Sequence, residues 1–121
     1  MSDHKVYEYD GCGTCRKARK YLEARQIACR LVPIREKPPT RPELKRMLAI
    51  YDGNVKKLFN TSGRDYRAEG LGEKLAGMTT EQAIDLLATN GNLVKRPFLL
   101  TKSGGAVGFS EASWDTLLAR D

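Results

Sequence analysis

Val6-Tyr7-Glu8-Tyr9-Asp10-Gly11-Cys12-Gly13-Thr14-Cys15-Arg16-Lys17-Ala18 is the stretch from which the rest of the chain can be read. Residues 6–9 are rich in β-formers and read as an opening strand. Residues 10–13 form a turn. Residues 14–25 then read as a helix, because Cys15, Ala18, Tyr21 and Leu22 recur at spacings of three and four. Arg16, Lys17, Lys20 and Glu23 fall largely off that stripe and should meet water. Residues 29–32 read as a second strand. A strand–helix–strand run implies a parallel pair joined by a right-handed crossover, the start of an α/β sheet.

Beyond the second strand the pattern changes. Pro33, Pro38 and Pro39 punctuate a connection, and Thr40-Arg41-Pro42-Glu43 has the form of a helix capping box. Leu44, Met47, Leu48 and Tyr51 give that helix an apolar face, and Asp52-Gly53-Asn54 stops it. A short helix over 55–58 runs into Phe59-Asn60-Thr61-Ser62-Gly63, and a further helical piece is expected at about 69–76. Thr79-Thr80-Glu81-Gln82 is a second capping box, opening a helix with Ala83, Ile84, Leu86 and Leu87 inward. Asn90-Gly91 is expected to end it in a left-handed C-cap. The sheet returns at 97–101, turns at 102–105 and runs back over 106–109 as an antiparallel hairpin. Ser110 can cap a last helix that turns Trp114, Leu117 and Leu118 to the core. The order is βαβ, a helical insert over about 36–92, then ββα. It describes one α/β domain over 1–121 with a mixed four-stranded sheet.

The composition agrees. A chain of 121 residues, 40% hydrophobic and 30% charged, has the balance of a soluble globular domain rather than a disordered one. It can bury roughly two-thirds of its unfolded surface without disulfide staples. No apolar run approaches the ~18 residues of a membrane span, so no membrane partner is expected. The start, Met1-Ser2-Asp3-His4-Lys5, has no apolar stretch behind its charges, so a secretory signal is not expected either. Three cysteines are an odd number, poor material for an extracellular disulfide framework and better material for a redox or metal site. A reducing, cytoplasmic setting is expected. Charge is uneven: residues 1–67 hold 16 Lys and Arg against 8 Asp and Glu, whereas 68–121 hold 5 against 7. A basic half attracts anions, from small substrates to a tripeptide thiol or nucleic acid. Direct nucleic-acid binding ranks last, because neither interleaved aromatics nor a reading motif accompanies the charge.

Cys12-Gly13-Thr14-Cys15 between a strand and a helix carries the chemistry. The thiolate is the nucleophile, and an unperturbed cysteine with pKa ~8.5 is only slightly ionised at neutral pH. At a helix N-terminus, unpaired N–H groups and the macrodipole favour the anion. Cys12 sits where the first turn would aim its amides at the sulfur. Arg16, one turn on, adds positive charge, and Gly11 and Gly13 let the backbone turn tightly. The spacing puts Cys15 one turn along, within bonding reach of Cys12 after a mixed disulfide has formed. A buried structural pair or half a zinc site are the alternatives. Zinc needs about four ligands, and the chain adds only Cys29 and His4, so no metal is expected. Cys29 is expected at the far end of a helix ~15 Å long, beyond the ~7 Å limit on Cα separation for a disulfide. It reads as a small buried hydrophobe, and His4 as exposed. Arg96-Pro97 opens the third strand. Arg96 can offer a planar fork to a carboxylate or oxyanion, or be a plain surface charge. Pro97 has the setting of a cis-proline loop without proving one.

With these residues in view, the chain resembles the arsenate reductase-like (ArsC/Spx) family of thioredoxin-fold proteins, which includes the Spx-type transcriptional regulators. The resemblance runs from the first strand to about Leu118. It rests on Cys12-Gly-Thr-Cys15-Arg16-Lys17-Ala18, on Phe59-Asn-Thr-Ser-Gly63 with Tyr66-Arg67 and Gly70-Leu71, and on Lys95-Arg96-Pro97. It implies a thioredoxin-like fold, a nucleophilic Cys12, an oxyanion-binding Arg96 and a cis Pro97. Cys15 holds a position that is serine in the glutaredoxin-coupled arsenate reductases and cysteine in many relatives. Those reductases place two further arginines around the anion, where this chain has Asn60 and Gly108, with Arg64 and Arg67 nearby in sequence. The segment 59–63 is closer to an uncharacterised reductase-like branch than to either well-studied group. The function implied is a thiol-dependent oxidoreductase, with Cys12 and Cys15 catalytic and Arg96, Pro97 and Arg16 binding a small anionic or thiol substrate. No bound cofactor is implied; glutathione, glutaredoxin or thioredoxin would donate electrons. The alternative is a redox-sensing regulator that binds RNA polymerase.

Overall fold

The structure is a computed structural model that describes residues 4–120; Met1, Ser2 and Asp3, read above for a signal, lie outside them. Two compact units divide the chain, one formed by the sequence up to Pro33 together with that from Arg96 onward, the other by Ile34–Lys95.

The first unit carries the sheet. β1 (Lys5–Glu8) leads into α1 (Gly13–Ala24) and β2 (Arg30–Pro33). β3 (Phe98–Leu100), β4 (Gly105–Val107) and the helix Glu111–Arg120 complete it. The strands lie in the order β2-β1-β3-β4. β1 runs parallel to β2, with Val6 opposite Leu31, and antiparallel to β3, with Val6 opposite Leu99. β3 and β4 form the antiparallel hairpin, Leu99 opposite Ala106. β1 is thus central, and Val6, Tyr7 and Glu8 are all buried rather than alternating. Val6, Ala18, Tyr21, Leu22, Leu99 and Trp114 form its core, with Cys29, Phe109 and Leu117 packed against it. Tyr21, Phe109 and Trp114 meet edge to face, with ring centroids 5.1–6.0 Å apart. Such packing suits their quadrupoles.

The second unit is helical: α2 (Arg41–Ile50), α3 (Arg64–Ala68), α4 (Leu71–Lys74) and α5 (Thr80–Thr89), with 3-10 turns at Val55–Leu58, Leu75–Gly77 and Gly91–Leu93. Both capping boxes form. The Thr40 hydroxyl accepts from Glu43 N–H while Glu43 Oε1 accepts from Thr40 N–H at 2.9 Å. Gln82 and Thr79 make the same reciprocal pair at 3.1 and 2.9 Å. Each cap contributes about 1 kcal/mol by satisfying amides the helix cannot.

Two expectations for this unit fail for identifiable reasons. The single helical piece expected at 69–76 is instead two short turns, Leu71–Lys74 and Leu75–Gly77, and it starts only after Gly70, which takes φ 63° in the left-handed region. Asn90-Gly91 is not a left-handed C-cap: Asn90 is extended (φ −140°, ψ 97°), and its side chain accepts from Asn92 N–H. Gly91 is required there by space, since a Cβ would come 1.8 Å from the Ile34 carbonyl oxygen. The left-handed stop belongs to the other expected terminator, where Asp52 (φ 57°) and Gly53 (φ 80°) turn the chain so that Gly53 N–H reaches the Leu48 carbonyl at 2.9 Å.

Candidate active site

Cys12 is the N-cap of α1, with extended backbone (φ −96°, ψ 120°). Its carbonyl accepts the first helical bond, from Arg16 N–H at 3.1 Å. Its Sγ accepts from Cys15 N–H at 3.3 Å, so the sulfur takes one of the amides that a helix start leaves without a partner. The first turn of α1 contains no carboxylate to compete with the anion. Gly11 and Gly13, expected to supply backbone freedom here, are both outside the left-handed region. What Gly11 supplies is room: a Cβ there would lie 2.6 Å from the Tyr9 ring.

That ring is the platform for the second component. Arg96 joins Pro97 through a cis peptide. Its guanidinium carbon lies 5.1 Å from the Tyr9 ring centroid, a cation–π arrangement. Arg96 is half-buried, and its Nη1 is buried among groups that offer it no acceptor. Pro97 is buried, and its carbonyl accepts from Gly108 N–H at 2.8 Å. Gly108 itself has φ 77°, a conformation that an arginine in its place would adopt only with strain.

Opposing influences act on Cys12. Burial is the largest and works against the thiolate; hydrogen bonds from the Cys15 thiol and N–H, and the bond and charge of Arg96, together outweigh it. The thiol is held below its ordinary value near 9. The cation in that balance is Arg96. Arg16, expected in this role, is exposed, and its Nη1 donates to the Asp10 carbonyl at 3.0 Å.

Cys15 has the opposite character. It is completely buried, and burial first, then the proximity of Cys12 and Glu8, pushes its thiol up to about 12 against the pull of a Tyr9 backbone hydrogen bond. Cys29 packs half-buried against the sheet core, and burial raises it to about 11. It follows the C-terminal end of α1, a helix of 12 residues and so about 18 Å long, with Cys12 at the other end. His4 is half-buried rather than exposed, and its carbonyl accepts from Arg30 N–H at 3.0 Å. Among the described residues no three His, Cys, Asp or Glu side chains are grouped to hold a metal ion. Asn60 is half-buried in the helical unit, and Arg64 and Arg67 lie on α3, both exposed.

Two groups at the site escaped the sequence reading. Tyr9 looked like one more strand residue; its nearness to Gly11 was the available signal. Glu8, the last residue of β1, is 7% exposed, and nothing in a β-former run marks a carboxylate as buried.

The ArsC family model matches residues 7–117 of the chain. The chain belongs to the ArsC family. Its mixed four-stranded sheet with flanking helices is the family's thioredoxin-like fold. An ArsC-family-related protein of Bacteroides fragilis has a solved structure that is 42% identical and superposes with a TM-score of 0.89, covering 97% of this chain and 98% of that one. The uncharacterized protein YusI of Bacillus subtilis is 41% identical over 109 residues, 90% of this chain and 92% of its own. The global transcriptional regulator Spx of Streptococcus agalactiae is 26% identical over 110 residues, 91% of this chain and 79% of its own. This ArsC-family chain carries a thiol pair whose members are set apart in acidity by their surroundings. No helix among its described residues is long and apolar enough to cross a membrane.

Proposed function

We propose that this ArsC-family protein is a thiol-dependent oxidoreductase in which Cys12 attacks and Cys15 or glutathione resolves. The observation that carries the reading is the Cys12 sulfur at the start of α1, accepting the Cys15 N–H with Arg96 beside it. A thiolate so held attacks a sulfur of a disulfide or glutathione adduct, forms a mixed disulfide and expels the other thiol. Arg96, with a buried Nη1 that lacks an acceptor, suits a carboxylate or oxyanion on the substrate. Pro97 closes the same side of the site, and Arg16 supplies positive charge at its rim.

The inequality of the two thiols supports a fixed order of attack. While Cys12 is anionic, its charge and hydrogen bond help keep Cys15 protonated. Once Cys12 is a mixed disulfide that influence is gone, and Cys15 becomes easier to ionise at the step that needs it. Glutaredoxin or thioredoxin would return the resulting Cys12–Cys15 disulfide to the dithiol.

The test is turnover of a glutathionylated peptide and of arsenate with glutaredoxin or thioredoxin as the coupled donor. Turnover that disappears in Cys12→Ser is the expected result. Absence of turnover in the wild type with both donors would overturn it. Similarity to Spx over most of the chain favours a second reading, a redox-sensing regulator that binds RNA polymerase. Co-purification of polymerase subunits with the oxidised protein and their loss on reduction would select that reading.

A further inference from the structure

We propose that Glu8 accepts the Cys15 proton as that thiol attacks the Cys12 mixed disulfide. The inference rests on the dithiol reading above and adds the group that makes a buried thiol usable. Glu8 ends β1, and the next backbone N–H, that of Tyr9, is hydrogen-bonded to the Cys15 sulfur. The Glu8 side chain meets Arg19, with Oε1 3.2 Å from Nε. Arg19 is one turn after Cys15 on the same face of α1, and Glu8 is near enough to Cys15 for its charge to act on that thiol. The contact with Arg19 is close enough for an ion pair but is not aligned as a hydrogen bond, and Oε1 is buried with its acceptor capacity unused.

Cys15 is 0% exposed, so at neutral pH bulk water is a slow and poor base for it. The charged groups around Glu8 are Arg19, Asp10 and Cys15 itself. Arg19 is a guanidinium and offers no atom that could accept a proton. Asp10 is exposed, and its Oδ1 is taken by Arg19 Nη1 at 3.0 Å. Glu8 combines burial with a vacant acceptor. Burial and the Asp10 charge raise its carboxyl, while Arg19 keeps it ionisable. A carboxylate penalised by burial gains by taking a proton, which suits a base for one catalytic step.

The substrate of this step is a disulfide, and Cys12 has already displaced one of its thiols and is bonded to the other, RS. The Cys15 S–H bond breaks and its proton passes to Glu8. Cys15 Sγ bonds to Cys12 Sγ, the Cys12–SR bond breaks, and RS⁻ leaves with the electron pair. The protein ends oxidised and the substrate reduced.

A chromogenic aromatic disulfide such as 5,5′-dithiobis(2-nitrobenzoate) reads both steps in stopped flow, in a Cys29→Ser background. The first thiol released reports attack by Cys12, and the second reports attack by Cys15. Glu8→Gln should slow the second phase by about 100-fold at neutral pH, the usual scale of a lost general base. The deficit should shrink as pH rises and hydroxide ionises Cys15 directly, a rescue that loss of a merely structural ion pair would not show. In the unsubstituted Glu8 protein the second phase should fall on acidification through a raised carboxyl value while the first follows Cys12. Glu8→Asp should retain more of the second phase than Glu8→Gln. A second phase unchanged in Glu8→Gln, or one equally slowed at every pH, would overturn the proposal. If Glu8→Gln does not fold, a Glu8-protein second phase with no carboxyl inflection does the same. A missing first phase would instead strike the Cys12 reading itself.

Discussion

A half-buried cysteine stands at the start of α1 and another beyond its end, yet their chemistry diverges. At the start, burial of Cys12 is outweighed by the Cys15 hydrogen bonds and by Arg96, and the thiol is lowered. Past the end, Cys29 meets burial without such partners and rises to about 11. Burial alone therefore sets the sign at one end and loses at the other. What makes a cysteine reactive in this fold is the set of donors that meet its sulfur, and those occur where the helix begins.

The largest expected effect is selective labelling. At neutral pH a thiol at about 11 holds at least about 100-fold less thiolate than one below 9. The more acidic thiolate is intrinsically less nucleophilic, which returns about half of that advantage on a logarithmic scale. Iodoacetamide followed by peptide mass spectrometry should thus find Cys12 modified at least about 10-fold faster than Cys29. Comparable rates would erase the distinction between the two ends.

Arg96 comes next. Replacing a nearby cation commonly moves a thiol or carboxyl by about one to three pK units, and a half-buried guanidinium belongs at the lower end. Arg96→Ala should raise the midpoint of Cys12 alkylation by about one pH unit. Arg96→Lys should recover part of it, since it keeps the charge without the planar stack on Tyr9. An unmoved midpoint would assign the lowering to the helix start alone.

The same imbalance has a thermodynamic signature. Cys12 binds its proton less tightly folded than unfolded, where its value is the ordinary one near 9. The stability gained is complete above the unfolded value and is lost as pH falls through the folded one. Urea midpoints of the reduced protein should therefore rise more, or fall less, with pH across that window than those of Cys12→Ser, because the raised thiols of Cys15 and Cys29 pull the other way in both proteins. A steeper rise in the variant would reverse the sign assigned to Cys12. Glu8 works oppositely: its raised carboxyl costs stability as pH climbs from the unfolded value near 4.5 through the folded one.

The smallest effect belongs to Cys29→Ser, which should cost about 1 kcal/mol of stability and leave Cys12 alkylation unchanged. Thermal melting and the labelling rate read the two parts separately.

Local patterns were legible in the chain. Thr40 with Glu43 and Thr79 with Gln82 declared their helices because a capping box is complete within four residues. Cys12 and Cys15 declared theirs because a turn and a helical stripe flank them. Contacts distant in sequence were not. Arg96 reaches Cys12 from far along the chain, so local reading left it open between anion fork and surface charge, and only the family resemblance favoured the site. Gly91 was misread because its need is the Ile34 carbonyl, a neighbour distant in sequence, while its local partner Asn90 imitates a C-cap. Arg16 was overvalued because helical spacing gives a side chain's position but not its hydrogen-bond partner, here the Asp10 carbonyl.

The most direct measurement is the pH dependence of Cys12 alkylation in a Cys15→Ser, Cys29→Ser variant, where the first substitution keeps the backbone N–H that meets the Cys12 sulfur. Reactivity rising with a midpoint clearly below the ordinary thiol range supports the account. A midpoint at the value of a free cysteine would contradict it, because the partners gathered at the start of α1 would then have no hold on the thiolate.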